Sequence, residues 1–124
     1  MKYRLFTGLL LVLSGFAAST GAALSADWNI RPGDTVLSEP MLNERLSNSE
    51  ITFFDGGKSV YGPDDAYAYV YAGGEPIPGT YHIANDGVVC VDFKNGWSRC
   101  DLYVINGEKL YLITEEGDRF PVKE

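Results

Sequence analysis

From Glu50 to Val122 apolar and polar positions alternate in short runs, and turn-forming residues interrupt them about every eight to ten positions. The runs EITFF, KSVY, AYAYVYA, GTYHIA, VVCVDF, WSRCDLYV, EKLYLIT and DRFPV are rich in the β-branched and aromatic side chains that suit a pleated surface. Between them lie DGG, GPDD, GGEPIPG, NDG, KNG, NG and EEG, most of which supply the Gly or Asn that positive backbone φ angles require. Loops this short join each strand to the next as an antiparallel neighbour. The pattern predicts an all-β fold, a small antiparallel up-and-down meander of seven or eight strands, curled into a partly open barrel or a bent sheet.

The preceding residues follow other periods. In SEPMLNERLSN, Ser38 can cap a short helix with Pro40 in its first turn and Met41, Leu42 and Leu46 as an apolar stripe. Residues 27–37, DWNIRPGDTVL, show no period and contain Pro32 and Gly33, so an irregular lead-in is expected there. Residues 38–124 then form a single β-rich domain opened by the helix.

At the N-terminus Lys2 and Arg4 precede an apolar run of about fifteen residues, short of the roughly 20 needed to span a bilayer, and small residues follow it. This order predicts a signal peptide over residues 1–26, cleaved between Ala22 and Ala26, and a periplasmic or secreted protein with no transmembrane segment after cleavage. Loss of Lys2 and Arg4 leaves eight basic residues against seventeen acidic ones, so the net charge moves from -7 to -9. So acidic a chain disfavours nucleic acid, whose phosphates need Lys and Arg, and favours basic partners.

The two cysteines flank the turn KNG, residues 94–96. A three-residue hairpin loop with Gly96 in the left-handed region sets Phe93 opposite Trp97 and Cys90 opposite Cys100. The cysteine pair then occupies a non-hydrogen-bonded site with α-carbons about 4.5 Å apart, within reach of a disulfide. A two-residue loop would instead place Asp101 opposite Cys90. Metal binding is disfavoured because the chain offers one histidine, His82, and no second cysteine pair. The nine intervening residues also lack the C-x-x-C spacing of a redox pair.

Two strands carry candidate binding residues. AYAYVYA places Tyr67, Tyr69 and Tyr71 on one face, either outward as a sticky surface or inward as barrel filling. In the second cysteine strand Trp97, Arg99, Asp101 and Tyr103 share a face, where an Arg99–Asp101 pair framed by aromatic rings can form a solvated patch; Ser98, Cys100, Leu102 and Val104 share the other, which reads as core.

The run GTYHIANDGVVCVDFKNGWSRCDLYVINGEKLYLITEEGDRFPV, with Gly79, Tyr81, Ile83, Asp86, Gly87, Cys90, Gly96 and Cys100 at its motif positions, resembles small secreted alphaproteobacterial proteins of unknown function that carry a two-cysteine β-hairpin. Tyr81 stands where many of that group have Trp. The likeness extends over about residues 46–122 and implies a β meander; it carries over no catalytic residue, the group being of unknown function.

Catalysis is not expected. Asp55, Asp64, Asp65, Glu75, Asp86, Glu115, Glu116 and Asp118 fall at turns, where water keeps carboxylates ordinary. His82 stands without a nucleophile motif, GPDDAY lacks the alternating ligands of a calcium loop, and Gly73 and Gly74 precede no helix that could cradle phosphate. The expectation is a secreted non-enzymatic binding or interaction module with no cofactor and no metal, whose partner is a basic protein or a small ligand in the periplasm. Its alternatives are an inhibitor of a basic secreted hydrolase, such as a lysozyme or a protease, and a small-molecule carrier.

Overall fold

The computed structural model describes residues 28–124; the expected signal peptide lies outside them. Eight strands, β2 (Ser49–Phe53), β3 (Lys58–Tyr61), β4 (Ala66–Val70), β5 (Pro76–Ile83), β6 (Val88–Phe93), β7 (Ser98–Asn106), β8 (Lys109–Thr114) and β9 (Arg119–Lys123), match the eight apolar runs one for one. Each pairs antiparallel with its neighbours in sequence, and β9 returns to pair with β2, so the meander is a closed barrel. Closure removes the unpaired edges an open sheet would expose. The seam is short, Thr52 opposite Lys123 and Phe53 opposite Val122, and ends beside Pro121, which has no N–H for a longer ladder.

The lead-in carries a strand that its sequence hides, β1 (Asp34–Val36), which pairs with the far half of β7. Trp28 packs on Leu102, Val104 and Ile113, so this segment covers the outside of β7 and β8. Arg119 ties it down with a bidentate pair to Asp34 at 2.7 and 2.9 Å and a bond to the Asn29 carbonyl.

Helix α1 (Glu39–Leu46) starts where Ser38 accepts a bond from the Met41 N–H, with Pro40 in the first turn. Leu42 and Leu46 are fully buried and join the barrel core, whereas Met41 is exposed rather than part of the stripe. The helix packs on β2 and β5 and caps the barrel end where β2 begins.

Strand β5 starts at Pro76, inside a stretch that reads as a loop. A Cβ at Gly79 would lie 2.4 Å from the Asp92 carbonyl oxygen and 3.0 Å from the Phe93 α-carbon, so only glycine permits so close an approach of β5 and β6. The cysteine hairpin has the expected register: Cys90 faces Cys100, the Phe93 N–H donates to the Trp97 carbonyl at 2.7 Å, and Gly96 takes φ 97°. The two sulfurs form a disulfide, with α-carbons 4.0 Å apart.

Candidate binding site at the barrel mouth

Successive loops of an up-and-down barrel alternate between its two ends. With α1 at one end, the β2–β3, β4–β5, β6–β7 and β8–β9 loops ring the other, where the barrel opens. The tyrosine row of β4 points inward and grades toward this opening: Tyr67 is 3% exposed and Tyr71 61%, with Tyr69 half-buried between them. The rings of Tyr69 and Tyr71 meet edge to face at 4.8 Å. Gly57 makes room for Tyr69, because a Cβ there would lie 2.5 Å from the tyrosine hydroxyl.

The faces of β7 are the reverse of the expected ones. Arg99, Asp101 and Tyr103 point into the barrel; Leu102 and Val104 point outward, where they are buried in an outer cluster with Ile113 that Trp28, Val88 and Tyr111 pack against. Arg99 and Asp101 do pair, Nε donating to Oδ2 at 3.0 Å, but the carboxylate is 3% exposed and forms no part of a solvated sheet face. Trp97, at the loop, remains exposed.

A polar network thus runs through an aromatic interior. Arg99 Nη2 donates to the Tyr67 hydroxyl at 3.0 Å, which shares a 2.8 Å bond with the buried Ser59. Deeper in, the Tyr61 and Tyr103 hydroxyls bond to each other at 2.7 Å. The guanidinium also lies over the Tyr69 ring, 5.1 Å from its centroid. Burial pushes the Asp101 carboxyl up to about 6 against the pull of the Arg99 charge and hydrogen bond. Its Oδ1 is buried and has no hydrogen-bond partner among the described residues. Burial likewise raises the Tyr61, Tyr67 and Tyr103 phenols, so all three are neutral donors and acceptors at physiological pH.

Two cavities meet at this network. One, about 300 Å³, lies in the mouth between Phe53, Leu112 and Phe120, with Asp55 and Thr114 as polar lining. The other, about 490 Å³, lies between the β4–β5 and β6–β7 hairpins, against Ile77, Phe93, Asn95, Trp97 and Ser98. Tyr69, Tyr71 and Arg99 form the wall shared by both. Of the seven candidate binding residues, Tyr69, Tyr71, Trp97 and Arg99 therefore line cavities, while Tyr67, Asp101 and Tyr103 lie beneath them. Sequence reading passed over Phe53, Ser59, Tyr61, Phe93 and Phe120; an alternation count anchored on the inward tyrosines would have found them.

No group of three or more His, Cys, Asp or Glu side chains able to hold a metal ion occurs among the described residues, and none of their helices is long and apolar enough to cross a membrane. Fold and site together define a closed eight-stranded β-barrel with an aromatic mouth and a charged, hydrogen-bonded floor. Comparison with protein-family models, curated proteins and solved structures finds no match to the chain.

Proposed function

We propose that this protein is an exported, non-enzymatic binding module that holds a small, largely apolar molecule in the barrel mouth. The supporting observation is the meeting of two cavities at one wall, where the half-buried ring of Tyr69 and the exposed ring of Tyr71 stand beside Arg99. Concave sites of a few hundred Å³ with aromatic walls and a few fixed polar groups are the usual form of small-ligand sites. The disulfide is compatible with an oxidising compartment, and the leader-like residues 1–26 favour export. The neutral fluorophore N-phenylnaphthylamine tests the reading. Its emission rises on binding to the native protein, and Tyr71→Ser combined with Trp97→Ser abolishes the rise; an unchanged signal from the double variant rejects the mouth as the site.

A second reading, an inhibitor of a basic hydrolase, has one observation in its favour. Phe54, Tyr71 and Trp97 are exposed on three successive mouth loops, with the acids Asp55, Glu75, Glu115 and Glu116 also exposed at this end. Exposed rings with acidic neighbours suit a basic protein surface. Salt-sensitive capture on immobilised lysozyme, lost in the same double variant, supports this reading in place of the first.

A further inference from the structure

We infer that the cavity between the β4–β5 and β6–β7 hairpins is a carboxylate site, and that its ligand is a planar aromatic acid whose carboxylate docks on Arg99. This rests on the small-ligand reading above and names the ligand class.

Charge selects this cavity over its neighbour. Among the described residues lining it, Arg99 is the only charged side chain, whereas the other cavity also holds Asp55 and would repel an anion. The guanidinium is held ready for a second acceptor. Of its five N–H donors, Nε is committed to Asp101 and one on Nη2 to Tyr67, which leaves three without a partner among the described residues, and the side chain is 34% exposed. A bound carboxylate can take two parallel bonds from such a fork. Asp101 and Tyr69 hold the guanidinium in place, so little side-chain entropy remains to be lost when the ligand docks.

A neutral polar group matches the same ligand. Asn95 Oδ1 accepts the Trp97 N–H at 3.0 Å, which leaves the amide NH₂ of Asn95 as a donor in the same cavity. Tyr71, Phe93 and Trp97 offer ring faces and edges for an aromatic body. Acids elsewhere on the mouth loops act through water and salt, and their repulsion fades over a Debye length of about 8 Å at physiological ionic strength.

Three probes with one ring system and different head groups test the assignment: naphthoate, naphthylmethanol and naphthylmethylammonium, titrated into the oxidised protein by calorimetry. Naphthoate is expected to bind about tenfold more tightly than the alcohol, the scale of a charge-assisted bond, with the ammonium weakest. Arg99→Gln should bring naphthoate to the affinity of the alcohol. Because that change also strips Asp101 of its partner, Asn95→Asp serves as a second variant; the position is exposed and the substitution keeps the acceptor for the Trp97 N–H, and it should weaken naphthoate by about tenfold and strengthen the ammonium.

Equal binding of alcohol and carboxylate, or tighter binding of the ammonium, overturns the carboxylate assignment while leaving small-molecule binding in place. Failure of all three probes where N-phenylnaphthylamine still binds also overturns it. If N-phenylnaphthylamine fails as well, the mouth-binding reading itself falls.

Discussion

The hydroxyls of Tyr61 and Tyr103, 42 positions apart in the chain, share a 2.7 Å hydrogen bond in the buried centre of the barrel. Each phenol satisfies the other in a place water does not reach. Removing one strands its partner, and a buried unsatisfied hydroxyl costs about 1–3 kcal/mol. Tyr103→Phe is therefore expected to lower the unfolding free energy by about 2 kcal/mol. Adding Tyr61→Phe should recover part of that loss, because no orphaned hydroxyl remains. Urea unfolding of the two single variants and the double variant checks this; additive losses would mean that the bond is not the source of the cost.

Asp101 makes the protein less stable as pH rises through the range where its carboxyl ionises. Its folded pKa of about 6 lies above the ordinary 3.8, so between those values the native state binds more protons than the unfolded chain. The contribution is fully present below about pH 4 and lost by about pH 6. The displacement corresponds to about 3 kcal/mol. Comparing wild type with Asp101→Asn isolates this slope from other titrating groups: the stability difference should shift by about 2–3 kcal/mol in favour of the variant between about pH 4 and about pH 7. A difference independent of pH would show that the carboxyl titrates normally.

Both sulfurs of the disulfide lie on the outer face of the barrel, because Val89 and Val91 on either side of Cys90 point into the core. Loss of the bond should thus leave the interior packing intact and act on the unfolded chain, whose closed loop spans ten positions. Cys90→Ser with Cys100→Ser is expected to reduce stability by about 3 kcal/mol. Ligand affinity and the near-ultraviolet signature of the interior tyrosines should remain near wild type. A collapse of that signature would assign the disulfide a role in the native packing.

How far the fold could be read in advance depended on how many sides of each strand are covered. The hairpin at residues 94–96 was fully legible, since one glycine turn and two cysteines determine a register that must satisfy both. The spacing of the turns marked the eight runs that become the barrel strands, although it left the count at seven or eight, and β1 stayed hidden in the aperiodic lead-in. Closure was not legible, because it rests on two residue pairs of β2 and β9 at opposite ends of the sequence. The faces of β7 misled for a different reason. Alternation identifies the core face only when the other face meets water, and here the outer face carries Leu102 and Val104 beneath Trp28 while the inner one carries Arg99 and Asp101. With both faces buried, the more apolar one reads as core although it lies outside the barrel. The tyrosine row left both directions open, and its inward direction followed only once β3 and β5 stood beside it.

The lead-in provides the last test. Asp34 and Arg119 form a bidentate pair at 2.7 and 2.9 Å with side chains 0% and 7% exposed, and Asn106 Nδ2 donates to the same carboxylate at 2.9 Å. The Arg119 bonds hold the Asp34 carboxyl far below its usual range, so its stabilisation is present above an unfolded value of about 4 and is lost as pH falls below it. Asp34→Ala leaves Arg119 buried without its partner and should cost about 3 kcal/mol. Because this pair fastens the segment that covers Leu102, Val104 and Ile113, the loss should be local as well as global. Hydrogen exchange should accelerate at Thr35 and Leu37, whose backbone meets β7, before it does in the barrel strands β3 to β6. Uniform acceleration throughout the barrel would show that the segment and the barrel unfold as one unit.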